Sequence, residues 1–161
     1  MRADFFRLAV VYHLGGTYAD VDVECSVPIN DWAVNKCEVV IGAEPPHEVN
    51  VCNWGFASVK HHLLFQRAID MSLSRFVNQD IDFSYEHFVH HTTGPVLLLD
   101  ALGSFAAEAG REWHKRNRTA REIYKSCRAI LQEQYNICFV DGNTQDKWFH
   151  NHFSSQKVRD T

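Results

Sequence analysis

The sequence predicts one α/β domain, and three stretches carry that prediction. Residues 5–12 are mostly apolar and long enough for about three helical turns. The following Gly15-Gly16 pair can end that helix, because glycine accepts left-handed backbone conformations. Residues 17–23 then favour an extended strand, since Thr, Tyr and Val prefer that conformation. Residues 37–43 are a compact apolar run with β-branched residues at its centre, which predicts a buried strand. We expect the two strands to lie side by side, with helices packed on the sheet.

The next segments continue the alternation of strand and helix. The periodicity of residues 51–58 fits a strand and a helix equally well. Residues 62–77 carry apolar side chains at helical spacing, so we expect a helix with one buried face. Residues 78–83 are polar and predict a loop.

The last third of the chain contains a second helical region and a short strand. Thr92 or Thr93 can cap a helix that opens at Gly94-Pro95 and runs through the apolar residues after it. Residues 111–134 are rich in charged side chains and predict a mostly exposed amphipathic helix. Residues 137–140 predict a short strand.

Composition describes an ordinary globular protein. The chain has 161 residues, with 45% hydrophobic and 22% charged residues, enough for residues 1–161 to form a single domain with a real core. A net charge of -4 argues against nucleic acid as a partner. No run reaches the roughly eighteen apolar residues of a membrane span. We therefore expect membrane association only through a segment outside these residues.

The five cysteines show no CxxC spacing, so a zinc site is not predicted. Their odd number leaves at least one thiol free within a monomer. The remaining cysteines are either buried as small hydrophobic residues or paired in a disulfide.

The chemistry of the chain is concentrated at Asp20 and Asp22. Residues two apart in a strand point to the same side, so both carboxylates should project together while Val21 faces the core. Neighbouring carboxylates repel each other, and a hard divalent cation such as Mg²⁺ or Mn²⁺ would relieve that repulsion. The simpler alternative is a strand that runs into solvent with both carboxylates hydrated.

A longer pattern surrounds this pair. Residues 2–7 read RADFFR, residues 15–22 read GGTYADVD, and Pro28, Ile29 and Trp32 follow. The whole stretch resembles the glycosyltransferases with a DXD-containing sugar-binding region, and it looks closest to the initiation-specific α-1,6-mannosyltransferases. The resemblance implies a GT-A-type, Rossmann-like fold of three α/β/α layers. It also implies that the fold is partial, because relatives carry a first strand and helix upstream of this signature.

The resemblance assigns roles to particular side chains. Asp22 is expected to bind the metal directly and Asp20 to contact the metal or the ribose, with His152 as a further metal ligand. The residues expected to contact the nucleotide sugar are Asp4, Arg7, Tyr18, Asp20, Asn53 and Gly94. No residue declares itself a catalytic nucleophile.

Each of these roles has a plain structural alternative. Asp4 and Arg7 lie three residues apart on one helix face and could form only a surface ion pair, worth about 0–1 kcal/mol. His152 could be a solvated histidine of the tail. Asn53 could be a polar residue at a strand end, and Gly94 a helix start.

The implied function is a metal-dependent transfer of a hexose from a nucleotide sugar, with GDP-mannose as donor, Mn²⁺ or Mg²⁺ as cofactor and a glycan or glycolipid as acceptor. One alternative is a transferase that uses UDP-galactose or UDP-glucose. A second is a non-catalytic relative that binds sugar or metal. A hydrolase built on the same aspartates would explain neither residues 2–7 nor the glycine pair.

Localisation and activity follow from the same resemblance. It implies the Golgi or another secretory lumen, which agrees with the glycosylation sequon at Asn117. Since relatives begin well upstream of Met1, we expect this chain alone to transfer sugar poorly and to self-associate.

Overall fold

The computed structural model describes residues 1–31, 37–44, 50–78, 81–85, 87–108 and 129–140, together with the backbone of residues 149–151. The helices are α1 (Arg2–Leu14), α2 (Leu63–Val77), α3 (Phe88–Thr92) and α4 (Pro95–Glu108). The strands are β1 (Gly16–Ala19), β2 (Val23–Cys25), β3 (Val39–Ala43), β4 (Val51–Ser58), β5 (Ile137–Val140) and β6 (Phe149–Asn151). Residues 129–135 are also helical, and Ile29–Asp31 is a short 3-10 helix.

The main sheet has the strand order β1-β4-β3-β5. β4 pairs antiparallel with both β1 and β3, while β3 and β5 run parallel. The expectation that the strand before the aspartates lies beside the strand at 37–43 is therefore wrong, because β4 lies between them. Ser58 of β4 pairs with Gly16 on one side and with Val39 on the other. β4 is the segment whose periodicity fits a strand and a helix equally well, and it is a strand that lies between β1 and β3.

The two faces of the sheet have different covers. On one face, the apolar side chains of α1, α2 and α4 form the larger core against strand residues such as Ile41 and Phe56. On the other face, Val40, Cys52, Trp54 and Ala57 form a smaller cluster, covered by side chains from the chain around β2. The α/β class is thus confirmed. Among the described residues, the second face carries the β2 segment rather than a helix.

The glycine pair ends α1 as its sequence predicts. Gly15 has a φ of +70° and its N–H donates to the carbonyl of Val11 at 2.8 Å. A Cβ at Gly15 would lie 2.8 Å from the backbone nitrogen of Lys60. Glycine is therefore required here both for its backbone conformation and for the close approach of a neighbouring segment.

The predicted helix at 62–77 is confirmed, and His62 caps it. The imidazole Nδ1 of His62 accepts a hydrogen bond from the N–H of Leu64 at 3.1 Å. The capping role expected for the threonines before α4 is wrong. The hydroxyl of Thr92 donates to the carbonyl of Phe88, and the hydroxyl of Thr93 donates to that of Val89. Both hydroxyls thus bond back to the carbonyl four residues earlier, as threonines in or just after a helix can do.

Cys37 and Cys138 form a disulfide, with their Cα atoms 5.7 Å apart. Cys25 is an exposed thiol and Cys52 is buried. Trp32, Asn117, His152, Cys127 and most of the expected helix at 111–134 lie outside the described residues. None of the helices in the described part of the chain is long and apolar enough to cross a membrane.

Candidate functional site

A buried arginine is the centre of the candidate site. Arg7, which is 7% exposed, projects from α1 towards the end of β1 and the middle of β4. Its Nη1 donates to Asp20 Oδ2 at 3.1 Å and to the backbone carbonyl of Asn53 at 2.6 Å. Its Nη2 lies 3.3 Å from Asp4 Oδ1. One guanidinium therefore joins two carboxylates and the sheet, which is the arrangement suited to the planar fork of arginine.

Asp4 occupies the preceding turn of α1 and faces the same way as Arg7. Its Oδ1 also accepts a hydrogen bond of 3.4 Å from the side-chain amide of Asn53. Its Oδ2 lies 3.0 Å from the amino group of Met1. The simple alternative of a surface ion pair does not describe these contacts, since the Arg7 side chain is 9% exposed and the Asp4 side chain 16%.

Tyr18 and Asp20 form the second half of this cluster. The hydroxyl of Tyr18 donates to Asp20 Oδ1 at 2.6 Å. The ring of Tyr18 stacks on Phe56 with centroids 5.6 Å apart, and the guanidinium of Arg7 lies 5.2 Å from its centroid. Burial, followed by the hydrogen bond to Asp20, raises the pKa of Tyr18 to about 12. The phenol is therefore a proton donor to Asp20 throughout the physiological range.

The chain leaves the sheet at Asp20. The N–H of Asp20 donates to the carbonyl of Trp54 at 2.8 Å, and its own carbonyl accepts from the N–H of Val23 at 3.0 Å. Val21 and Asp22 lie in the resulting turn. The expectation of a strand through Asp22 with Val21 facing the core is therefore wrong, and Val21 is fully exposed. The reason is that β1 ends at Ala19, where its pairing with β4 also ends.

The two aspartates of the pair differ in what they contact. Asp20 has a protein donor on each carboxylate oxygen. Asp22 is partly buried and makes no hydrogen bond or ion pair within the part of the chain that the structure describes. Its oxygens therefore carry no donor from that part of the chain, unlike those of Asp20.

A divalent metal at Asp22 would need most of its ligands from outside the described residues. No three His, Cys, Asp or Glu side chains among the described residues converge closely enough to hold an ion by themselves. A cation at Asp22 would thus need further oxygen ligands, which a diphosphate offers. His152, the other expected ligand, lies outside the described residues. The backbone of Asn151, the residue before it, pairs in β6 with Val23 of β2, directly after Asp22.

Gly94 occupies a different place from the other predicted contacts. It is buried where α3 meets α4, and a Cβ there would lie 2.8 Å from the Cα of His90. Its carbonyl accepts from the N–H groups of Leu97 and Leu98 at 3.1 and 3.4 Å. These contacts account for a glycine by packing alone.

The structure brings five of the predicted residues together, and sequence reasoning missed how they connect: Asp4, Arg7, Tyr18, Asp20 and Asn53. Asn53 contributes its backbone carbonyl to Arg7 as well as its side chain to Asp4. A backbone acceptor has no sequence signal. The contact between Tyr18 and Asp20 could have been anticipated, since residues two apart in an extended chain share a side.

Known proteins have sequences similar to this region of the chain. Residues 1–38 match the profile of the glycosyltransferase sugar-binding region containing the DXD motif. Over 100 residues, the chain is 27% identical to Inositol phosphoceramide mannosyltransferase 1 of Schizosaccharomyces pombe, a match that covers 59% of this chain and 28% of that protein. Asp4, Arg7, Asp20 and Asp22 all lie within the residues that match the profile.

A solved structure shares the fold. The PaToxG glycosyltransferase superposes with a TM-score of 0.51 and 18% identity, covering 80% of this chain and 49% of that one. The likeness shows the fold, an α/β arrangement consistent with part of a GT-A-type domain. The chain's matches therefore span just over a quarter of the mannosyltransferase and about half of the solved glycosyltransferase.

Proposed function

We propose that this chain forms the donor- and metal-binding part of a glycosyltransferase, which transfers a hexose from a nucleotide sugar to an acceptor hydroxyl. The observation that carries the proposal is the convergence of Asp4, Arg7 and Asp20, beside a turn that presents the open carboxylate of Asp22. The match of residues 1–38 to a sugar-binding region supports it.

The chain's residues divide the work of binding. Asp22, with His152 as a further expected ligand, would hold Mn²⁺ or Mg²⁺, which neutralises negative charge on a leaving diphosphate. Asp4 and Asn53 offer carboxylate and amide groups of the kind that bind sugar hydroxyls. Arg7 holds the Asp4 carboxylate and the backbone carbonyl of Asn53, and it would add positive charge beside a diphosphate. Held geometry of this kind is worth up to about 7–11 kcal/mol in favourable reactions.

We assign mannose as the sugar and GDP as the nucleotide, and a glycan or glycolipid as the acceptor. The name of the mannosyltransferase relative supports mannose, and its inositol phosphoceramide favours a glycolipid. UDP-hexose transfer is the alternative donor chemistry. The Cys37–Cys138 disulfide favours an oxidising compartment such as the Golgi or another secretory lumen.

A donor-hydrolysis screen tests the proposal. The chain and its Asp22→Asn variant are incubated with GDP-mannose, UDP-galactose or UDP-glucose, each with Mn²⁺ and with a chelator. We expect slow hydrolysis of GDP-mannose by the unmodified chain, with Mn²⁺ only, and none by the variant. Faster hydrolysis of a UDP-hexose would reassign the donor. Binding of a nucleotide sugar without any hydrolysis or transfer would favour a non-catalytic binding relative.

A further inference from the structure

The two aspartates of the sugar-binding turn have opposite surroundings, and that difference carries an inference. Asp20 receives Tyr18 Oη on one oxygen at 2.6 Å and Arg7 Nη1 on the other at 3.1 Å. Asp22 has neither kind of partner among the residues described. A carboxylate with protein donors on both oxygens has less capacity left for a metal than one with none.

Tyr18 is held in a fixed position from three sides. Its backbone lies in β1, where it pairs with Phe56 of β4. Its ring stacks on the ring of the same Phe56 and lies beneath the Arg7 guanidinium. A rigid aromatic side chain loses little entropy when it makes one more contact, so its hydroxyl is a well-placed donor.

Asp20 is in turn the first residue of the turn that carries Asp22. Its main chain is fixed on both sides, through Trp54 of β4 and through Val23. Immobilising the side chain at both oxygens limits the rotation of Asp20 and the direction in which the chain leaves the sheet. The orientation of Asp22, two residues later, depends on that direction.

We propose that Tyr18 is a positioning residue: with Arg7 it makes Asp20 an internal anchor, which directs the turn so that Asp22 alone presents its carboxylate to the metal. This inference rests on the proposed function, and it gives Tyr18 a role through Asp20 rather than through contact with the donor. The two aspartates are then chemically unequal, with Asp20 acting in the scaffold and Asp22 at the ligand.

The test compares Tyr18→Phe with Tyr12→Phe. The first substitution removes the hydroxyl that donates to Asp20 but keeps the aromatic ring that stacks on Phe56. The second is a matched control, because Tyr12 is also partly buried and its hydroxyl makes no hydrogen bond within the described residues. Amide hydrogen exchange at Val23 reports the order of the turn without any ligand. Calorimetric titration with GDP, in the presence and absence of Mn²⁺, reports the binding site.

We expect Val23 to exchange faster in Tyr18→Phe. We also expect GDP affinity with Mn²⁺ to fall by about ten-fold, the size of one charge-assisted hydrogen bond. Affinity without Mn²⁺ should stay unchanged, because the proposed role of Tyr18 acts only through the metal ligand Asp22. A general structural defect would instead weaken GDP binding both with and without Mn²⁺. The control variant should match the unmodified chain in all three measurements.

Three outcomes would contradict these expectations in distinct ways. Unchanged amide exchange at Val23 in Tyr18→Phe would overturn the proposal that Tyr18 makes Asp20 an anchor of the turn. Faster exchange with unaltered Mn²⁺-dependent affinity overturns the positioning role. If the unmodified chain binds no GDP with Mn²⁺, the proposed function fails and the positioning role fails with it, while Val23 exchange still decides the anchor.

Discussion

Arg7 is the residue on which the candidate site depends. Its guanidinium has two carboxylates and a backbone carbonyl as acceptors, while its buried Nε has no hydrogen-bond partner among the described residues. A buried ion pair adds little net stability, but removing one partner leaves the other charge uncompensated. Removing Arg7 should therefore destabilise the protein by more than the ion pairs of Arg7 stabilise it.

Arg7→Leu should lower the free energy of unfolding by about 2–4 kcal/mol, slightly below the roughly 3–5 kcal/mol typical of a broken buried pair. The discount reflects the remaining exposure of Asp4 and Asp20, at 16% and 25%. Urea unfolding measures the change. Arg2→Leu is the control, since Arg2 is exposed on the same helix and has no ion pair in the described part of the chain. Equal effects of the two substitutions would show that the pairing of Arg7 is irrelevant.

Gly94 is a residue whose role we assign to packing. In Gly94→Ala, the new methyl group would meet backbone atoms of His90 and Val89 at 2.8 and 3.2 Å. Overpacking against backbone costs about 1–3 kcal/mol. We expect a lower unfolding midpoint with GDP affinity unchanged once the protein is folded. A variant of normal stability with weakened GDP binding would instead support the nucleotide-sugar contact that the sequence suggested.

At the scale of elements, the start of α2 is coupled to pH through His62. This side chain is 6% exposed, its Nδ1 caps the helix, and its Nε2 lies 2.9 Å from the carbonyl of Tyr135. Burial lowers the pKa of His62 below 6.5, although the Tyr135 carbonyl and Glu38 act in the opposite direction. The folded state therefore prefers the neutral imidazole, whose Nδ1 can accept the capping hydrogen bond.

Stability from this neutral histidine is complete above the unfolded pKa of about 6.5 and is lost as pH falls below it. We expect the free energy of unfolding to decrease between pH 7 and pH 5, with this site contributing at most about 1.4 kcal/mol per pH unit. His62→Asn retains a capping side chain without a titrating group, so its stability should depend less on pH. Urea unfolding at several pH values measures both slopes, and identical slopes would exclude His62 as the cause.

Local sequence patterns were sufficient to predict several helices and strands but not the end of β1. The apolar run before Gly15 and the spacing within 62–77 predicted α1 and α2, because helices are built from contacts close in sequence. The end of β1 at Ala19 could not be predicted, since it depends on where pairing with β4 stops. Residues with strand propensity continue through Val21, so the turn was not predicted.

At the scale of the whole molecule, pairing between strands that are distant in the sequence sets the strand order, which could not be predicted from the sequence. β4 pairs with β1 on one edge and with β3 on the other, and β6 pairs with β2 although more than a hundred residues separate them in the chain. The resemblance located Asp4, Arg7, Asp20 and Asn53, and the fold does bring them together. It did not indicate that Arg7, 13 residues away in the chain, donates to Asp20, whereas Asp22 has no protein donor among the residues that the structure describes.

The Cys37–Cys138 disulfide constrains the whole chain, since it closes a loop with a sequence separation of 101. Losing such a cross-link costs about 2–5 kcal/mol, mainly because the unfolded chain regains freedom. We expect the double variant Cys37→Ser/Cys138→Ser to show this loss in urea unfolding, and dithiothreitol to reproduce it in the unmodified chain. Cys25→Ser is the control, because Cys25 is an exposed thiol. Stability that is insensitive to both treatments would remove the argument for an oxidising compartment.

The most direct test of the whole account is calorimetric titration of GDP with and without Mn²⁺, using the unmodified chain, Asp22→Asn and Asp31→Asn. Asp31 is an exposed aspartate a short distance along the chain and serves as the matched control. We predict that Mn²⁺ strengthens GDP binding by the unmodified chain and the control. Asp22→Asn should lose that dependence on Mn²⁺ while its stability changes by less than about 0.5 kcal/mol. Mn²⁺-dependent GDP binding that persists in Asp22→Asn, or that is absent from the unmodified chain, would contradict the account.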